Sequence, residues 1–314
     1  MAIIAIMTRR FRRFIFLIFT ALFIMCSFAA VLFAEGYRFD FSDFKLVKTG
    51  GIFIKTSTDG AKIYINDKYI ESTNGILTHS VLISGLAPKN YNVFVYKENY
   101  YPWNKVVKVE NGMVSELDSI LLFPLELKKN KIAELSDQTI SEFEIIDSAV
   151  KIKNNKAKTL NTYNLNDGKL LTSEKFSAKG GPASGWKTTT SSPQEIISPD
   201  KNKKLYVLNN RIWVEYLKNI TKDPIKNAGE KELLAIYEPP IDFFEWFGDS
   251  KHVMWFADNE LNVAELDNRG GKRNSINFYL GINPPFFWDR ENSELYFFEK
   301  SAGKSVLYKI SFKS

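Results

Sequence analysis

The sequence predicts a mainly β protein: an N-terminal transmembrane helix, a small β-sandwich, then a β-propeller-like domain that is about four-bladed or partial. Three observations predict it. An uncharged run of 21 residues, Phe14 to Ala34, follows a cluster of arginines. From Gly50-Gly51 onward, short apolar stretches alternate with Asn, Asp and Gly turns and show no helical period. Toward the C-terminus a strand–turn–strand unit recurs at close to the roughly 40–45 residues of a propeller blade.

The helix comes first. About 20 apolar residues are what the hydrocarbon core of a bilayer requires, and Phe14–Ala34 supplies them. Arg9, Arg10, Arg12 and Arg13 on one flank, against Glu35, Arg38 and Asp40 on the other, put the N-terminus in the cytoplasm by the positive-inside rule. Residues 1–13 are then a basic cytoplasmic N-terminus, 14–34 an anchor in the cytoplasmic membrane, and everything from Glu35 on lies outside the cytoplasm. The competing reading is a cleaved signal peptide, with Ser27-Phe28-Ala29 as its small-x-small site. The apolar run continues through Val31, Leu32 and Phe33, which favours an uncleaved anchor. Cys26 is a small filler in this helix, because Met25 and Phe23 are too bulky for a lipoprotein-processing site.

The formal charge of +6 and pI near 9.0 would suggest nucleic acid if spread over the chain. Four of those charges are the N-terminal arginines, leaving 38 basic against 36 acidic residues from position 35 on. That balance excludes a nucleic-acid stripe. With one cysteine, the exported part has no disulfide and no thiol metal site. Its length suffices for two domains with their own cores.

Residues 35–50 read as a juxtamembrane connector whose Tyr37, Phe39 and Phe41 suit the headgroup level. Strands then follow one another: Ile52–Thr56, Lys62–Ile65, Val81–Ile83, Tyr91–Tyr96, Lys105–Val109 and Ser115–Leu122. Turns at Thr58-Asp59-Gly60, Asn66-Asp67, Ser84-Gly85 and Asn111-Gly112 separate them, using Asx side-chain bonds and tolerance of positive φ. Residues 51–123 therefore read as a small sandwich.

Ser57-Thr58-Asp59-Gly60-Ala61-Lys62-Ile63-Tyr64-Ile65-Asn66-Asp67 resembles the PEGA domain, whose signature is a Pro-Glu-Gly-Ala turn, a strand and a second Asp-Gly-type turn. Leu86-Ala87-Pro88-Lys89-Asn90-Tyr91-Asn92-Val93 is similar to its later Leu-x-Pro-Gly-x-Tyr-x-Val segment. Thr58 stands for the Pro, Asp59 for the Glu and Asn90 near the Gly, all turn-compatible. Asp59, Gly60, Ala61, Asn66 and Asp67 are the structural motif. The resemblance implies an extracytoplasmic sandwich of prokaryotic envelope proteins and carries no catalytic residues.

From about residue 128 to 314 a looser repeat appears. Ser198-Pro199-Asp200 precedes Lys204–Val207 and Ile212–Val214; Asp249-Ser250 precedes His252–Phe256 and Leu261–Val263; Asp289 precedes Leu295–Phe298 and Val306–Ile310. The aspartates are 49 and 40 residues apart. Each copy reads as the inner half of a blade, and a degenerate copy covers Ala149–Ile152 and Leu160–Leu165 with Asn166-Asp167-Gly168 as its turn. The copies resemble TolB-like and WD40-like propeller repeats. A four-bladed ring, an open arc and a partial propeller completed by another chain all fit the length.

Catalytic patterns are scarce. His79 and His252 are 173 residues apart, Ser184 lies outside a G-x-S-x-G elbow, and no phosphate loop or H-E-x-x-H occurs. Gly270-Gly271-Lys272-Arg273 reads as a hairpin turn rather than an anion cradle. Asp289, Glu291 and Glu294 read as solvated turn carboxylates rather than Ca²⁺ ligands. No catalytic, metal or cofactor site is expected. The 173–195 stretch reads as a loop between blades, or as a binding loop anchored by Trp186. Trp213, Trp246, Trp255 and Trp288 read as core rings, while Tyr101, Trp103 and Trp186 are the candidate ligand contacts.

Two functions remain. One is a non-enzymatic, membrane-anchored envelope protein that binds a surface protein or glycan. The other is an exported hydrolase or lyase with Asp200, Asp249 and Asp289 converging in a propeller channel. An acid-base site needs carboxylates in unlike environments. Aspartates that recur once per repeat favour the binding protein.

Overall fold

The computed structural model describes residues 9–40, 44–73, 79–175, 195–222, 224–238, 241, 243–282 and 285–312. The one long helix among the described residues, α1 (Arg9–Ala34), spans 26 residues that are apolar after its first arginines, and none of them is buried. At about 1.5 Å per residue it is long enough to cross a bilayer. It ends at Gly36, whose φ of +88° is the left-handed conformation that closes helices. The Arg38 guanidinium lies 3.4 Å from the Phe33 ring centre and donates to the Phe33 carbonyl at 2.9 Å, satisfying one of the helix's last acceptors.

The segment read as a connector is in fact a hairpin. β1 (Tyr37–Asp40) pairs antiparallel with β2 (Lys45–Lys48), and Phe39 meets Phe44 edge-on. Phe41 lies outside the described residues. The local pattern there was too short to declare strands, and only their pairing does so.

The PEGA-like region holds seven strands: β3 (Gly50–Thr56), β4 (Lys62–Ile65), β5 (Lys68–Ser72), β6 (Ser80–Leu86), β7 (Asn90–Tyr96), β8 (Trp103–Lys108) and β9 (Val114–Ile120). They form two sheets, β6-β3-β9 and β5-β4-β7-β8, with β3 and β9 parallel. One apolar core draws on both, with Ile52, Ile54, Leu117 and Ile120 from the first and Ile63, Val93, Val95 and Val107 from the second. Alternate residues of β4, β7 and β8 point into it, as the period of two requires. β5 was missed from sequence because it is an edge strand with hardly any buried residue.

The motif residues do turn work. Asn66 and Asp67 have φ of +48° and +66° between the paired Ile65 and Lys68, a two-residue hairpin of the type that fits strand twist. Asn66 Oδ1 also accepts the Asn92 N–H at 2.9 Å. Gly60 has φ +71°, Ala61 is fully buried, and both N–H groups go to Thr73, one to its carbonyl and one to its hydroxyl.

The C-terminal part is built from β10 (Asn130–Ser136), β11 (Glu142–Ile146), β12 (Ala149–Asn154), β13 (Thr159–Asn164), β14 (Leu170–Lys175), β15 (Glu195–Ile197), β16 (Lys203–Leu208), β17 (Arg211–Tyr216), β18 (Lys231–Ile236), β19 (Phe243–Trp246), β20 (His252–Ala257), β21 (Glu260–Glu265), β22 (Ser275–Tyr279), β23 (Phe286–Asp289), β24 (Glu294–Ser301) and β25 (Lys304–Ser311). They make four four-stranded antiparallel sheets. Three are simple meanders, β11 to β14, β15 to β18 and β19 to β22; the fourth has the order β10-β25-β24-β23. Pairing of β10 with β25 joins the two ends of this part of the chain.

The repeat is present but shifted within its sheet. Asp200 and Asp249 lie after β15 and β19, and Asp289 ends β23, so the strands that follow each are the central pair and not the inner half: β16–β17, β20–β21 and β24–β25. The degenerate copy matches β12–β13, the central pair of its own sheet. The central strands bury more than the outer β14, β18 and β22, on one face in β12, β16 and β17 and on both in β20 and β21, which is why they were read and the outer ones were not. Ser173–Lys175 belongs to β14; the rest of that stretch up to residue 194 lies outside the described residues.

The first strands of neighbouring sheets are linked by tryptophan. Trp246 of β19 donates its indole N–H to the Ile196 carbonyl of β15 at 3.0 Å, and Trp288 of β23 donates to the Trp246 carbonyl at 3.1 Å. Phe287 of β23 then packs near Phe143 of β11, ring centres 6.3 Å apart.

Candidate functional site

A concavity lies where the PEGA-like region meets the second and third C-terminal sheets. It begins with β8. Alternation sends Trp103, Lys105 and Val107 inward, yet only Val107 ends wholly in apolar surroundings. The Lys105 side chain is fully buried, its ammonium 2.5 Å from Glu265 Oε1 and 2.5 Å from the Asp267 carbonyl oxygen. The Trp103 indole donates to Glu265 Oε2 at 2.9 Å. Asn274 gives Glu265 Oε1 both its backbone N–H, at 2.8 Å, and its side-chain amide, at 2.7 Å. Glu265 thus takes a cation and three further donors, the saturation a buried carboxylate needs.

Beside this pair, a 3-10 turn at Arg269–Gly271 presses on β8. The Arg269 guanidinium grips Asp267 through Nε and Nη2, and Nη2 also donates to the Glu116 carbonyl of β9 at 2.8 Å. Burial works to raise the Asp267 carboxyl, but the hydrogen bonds and charge of Arg269, with Lys105, hold it below the usual aspartate range. Two more ion pairs cross the junction: Lys222 to Glu116 at 2.9 Å, and Lys251 to Asp118. Apolar contact completes it. Phe123 packs against Phe247, Phe278 and Phe312, and Tyr101 meets Phe278 edge-on.

These pairs rim a cleft of about 390 Å³. Leu117, Ile120, Ile220, Leu266 and Tyr216 are among the residues that line it. Burial and the Glu232 carboxylate, 3.0 Å from its oxygen, push the Tyr216 phenol above its ordinary range, so it stays protonated. Matched charges beside apolar side chains, in a volume typical of small-ligand clefts, suit binding of a compact ligand or a short chain segment.

The residues singled out from sequence fall in different places. Trp103, 4% exposed, bridges the two regions through Glu265 and is also one of the residues that line the cleft. Tyr101 likewise packs at the junction. Trp186 and Ser184 lie outside the described residues. The motif residues Asp59, Gly60, Ala61, Asn66 and Asp67 lie at the PEGA-like turns, away from the cleft lining. Arg9, Arg10, Arg12 and Arg13 occupy the first turns of α1 and are exposed.

The three repeat aspartates are each spent on their own turns. Asp249 accepts the N–H groups of Lys251 and His252 and meets His252 Nδ1 at 2.6 Å. Asp289 accepts the N–H groups of Glu291 and Asn292. Asp200 accepts from Ser198, Asn202 and Lys203, and its own N–H reaches the Ser250 hydroxyl of the next repeat at 2.9 Å. Glu294 receives Tyr296 and Lys309. Among the described residues no group of three or more His, Cys, Asp or Glu is placed to hold a metal ion. Gly270-Gly271, read as a simple turn, is the contact with β8. No local signal distinguishes it, because the partner is more than 160 positions away.

Residues 49–121 match the PEGA domain family. No curated protein matches the chain. Solved structures give distant likenesses to propeller proteins. Kluyveromyces lactis Hsv2 is 11% identical over 78% of this chain and 68% of its own, with a TM-score of 0.25. The Cps50 (Swd1) β-propeller domain of Myceliophteria thermophila is 12% identical over 70% and 66%, with a TM-score of 0.25. A protein of unknown function from Desulfotomaculum acetoxidans DSM 771 is 11% identical over 66% and 72%, also at 0.25. The chain spans about two thirds of the length of the first two, and similarity this distant bears on neither ring geometry nor function.

Proposed function

We propose that this chain is a non-enzymatic binding protein of the cell envelope, anchored in the cytoplasmic membrane by α1, with its β regions outside and engaging a surface protein or glycan. The observation that carries the reading is α1 itself: 26 residues, apolar after its first arginines, with no buried position. A core helix would hide its apolar side chains in protein, and a bilayer supplies the surroundings these lack. The four arginines at its start orient it with the N-terminus inside.

In this reading the PEGA domain is a β-sandwich and the four C-terminal sheets are the blades of a TolB-like propeller. The indole links from β23 to β19 to β15, the contact of β23 with β11, and the β10–β25 pairing support a ring clasped by its ends. Binding rather than catalysis is supported by the repeat aspartates, which hold their own turns instead of converging. The junction cleft is the ligand seat.

Protease shaving of a C-terminally tagged chain in intact cells or spheroplasts, with membrane fractionation, tests this. Loss of the tag, with uncut chain pelleting with membranes, is the expected result. A shorter, soluble, released chain would show a cleaved signal and remove the tether. A protected tag would reverse the orientation.

A further inference from the structure

We propose that the outer face of the sheet β5-β4-β7-β8 is a contact strip for an acidic polysaccharide built of pyranose rings. This rests on the reading above that the PEGA domain faces outward, and it adds to the junction cleft a second surface with its own ligand class.

The strip follows from strand alternation. Ile63, Ile65, Val93 and Val95 point into the core, so Lys62, Tyr64, Phe94 and Tyr96 point out. Register sets Tyr64 opposite both Tyr69 and Phe94, and Lys62 opposite Tyr96. The rings form a continuous row: Tyr69 to Tyr64 at 5.6 Å, Tyr64 to Phe94 at 5.9 Å and Phe94 to Tyr96 at 6.4 Å, the last pair nearly parallel at 7°. Cross-strand aromatic pairs stabilise a sheet by roughly 0.2–1 kcal/mol each, which accounts for the pairing itself. It does not account for four rings left accessible on one face, with Tyr69 50% and Tyr96 37% exposed. Such rows elsewhere in this chain are buried: the Phe123, Phe247, Phe278 and Phe312 group lies in a core.

The chemistry selects the ligand. A pyranose offers an apolar C–H face to a ring and hydroxyls at its edge. The strip offers flat rings, three phenol hydroxyls and the Asn92 side chain on the same face. Lys62 stands at the Tyr96 end, exposed, and makes no ion pair among the described residues. A cation at the end of an aromatic row complements an acidic substituent on a sugar. A protein partner would be expected to meet a more apolar centre with a mixed-charge rim.

The test is affinity electrophoresis and calorimetry of the full-length chain in detergent. The probes are polygalacturonate as the acidic glycan, laminarin as the neutral one and polyglutamate as a charged polymer without rings. Polygalacturonate should bind best. Tyr69→Ser, on an edge strand, and Phe94→Ser should each weaken it at least tenfold, about the truncation cost of an interface aromatic. Lys62→Ala should reduce the preference for polygalacturonate over laminarin. Thermal melts of each variant guard against misfolding, and Tyr69→Ser stands in if Phe94→Ser fails to fold. Equal binding of polyglutamate, no binding of either glycan, or unchanged affinity in Tyr69→Ser overturns the proposal. So does a dimer that Tyr69→Ser converts to monomer, which would seat a second copy on the strip. Shaving of cells is indifferent to Tyr69→Ser, so failure of the strip and failure of the outward topology are distinguishable.

Discussion

Glu265 and Lys105 show how much can rest on one pair of side chains. Both are buried, and Lys105 is the cation that Glu265 meets, with the Asp267 carboxylate also 3.5 Å from its ammonium. Removing one partner strands the other in a low-dielectric site, at a cost of about 3–5 kcal/mol. Lys105→Met should therefore lower the urea midpoint of the detergent-solubilised chain strongly. The double variant Lys105→Met/Glu265→Gln removes both charges and keeps one amide oxygen as acceptor for Asn274, and should recover part of that loss. Equal effects of the single and the double variant would show that packing rather than charge dominates.

Asp249 makes a pH prediction at the same scale. Burial alone would raise its carboxyl, but the charge of His252 and the hydrogen bonds from His252 and Lys251 bring it below its ordinary range. A carboxyl with a depressed folded pKa stabilises the fold above its unfolded pKa of about 4 and loses that contribution as pH falls through the folded value. Asp249→Asn should melt lower than the parent at pH 7. It should also show a smaller drop in melting temperature between pH 5 and pH 3. Parallel acid profiles for the two chains would remove Asp249 from the acid response.

At the scale of elements, two contacts hold the architecture. The Arg269–Gly271 turn meets β8 at Gly270, where φ is +71° and an added Cβ would lie 2.9 Å from both the Val106 carbonyl oxygen and its Cβ. A side chain there strains the left-handed backbone and collides with a strand. Gly270→Ala should cost roughly 1–3 kcal/mol and raise hydrogen exchange in β8 before other strands respond. Protection of β8 equal to the parent would show that the junction tolerates the shift.

The second contact is the β10–β25 clasp. Leu135 is a buried residue of β10 and packs with Leu307 and Phe143. Leu135→Ala should cost about 2–5 kcal/mol. Exchange should then rise first in β10 and β25, because that backbone pairing ties the start of the C-terminal part to its end.

For the whole molecule, the question is whether the two β regions act as one body. Their junction combines the buried Lys105–Glu265 pair, two rim ion pairs and the Phe123 cluster. Cleaving a protease site inserted after Lys128 should leave the two fragments co-migrating in size-exclusion chromatography at moderate salt. Separate peaks would mean that the cleft is an interface of convenience, and that the chain itself is the only link.

Much of this was legible locally. The Phe14–Ala34 run, the Asn66-Asp67 hairpin and the central strand pairs after Asp200, Asp249 and Asp289 all carry their signal within a few residues. Edge strands such as β5 and β14 were not legible, because a strand that buries little need not alternate. The setting of Trp103 was not legible for another reason: next to Pro102 and two tyrosines nothing local marks its burial, and its acceptor Glu265 lies 162 positions further on. By itself the sequence determined a lipid-compatible helix, a PEGA-type strand pattern and a repeating strand unit, since hydropathy, turn chemistry and period are properties of neighbours. Only the tertiary structure decided that β10 closes against β25, that Lys105 is buried against Glu265, and that the two regions enclose a cleft. Those contacts join residues far apart in the chain, where the energy lies in mutual burial and no short-range pattern records it.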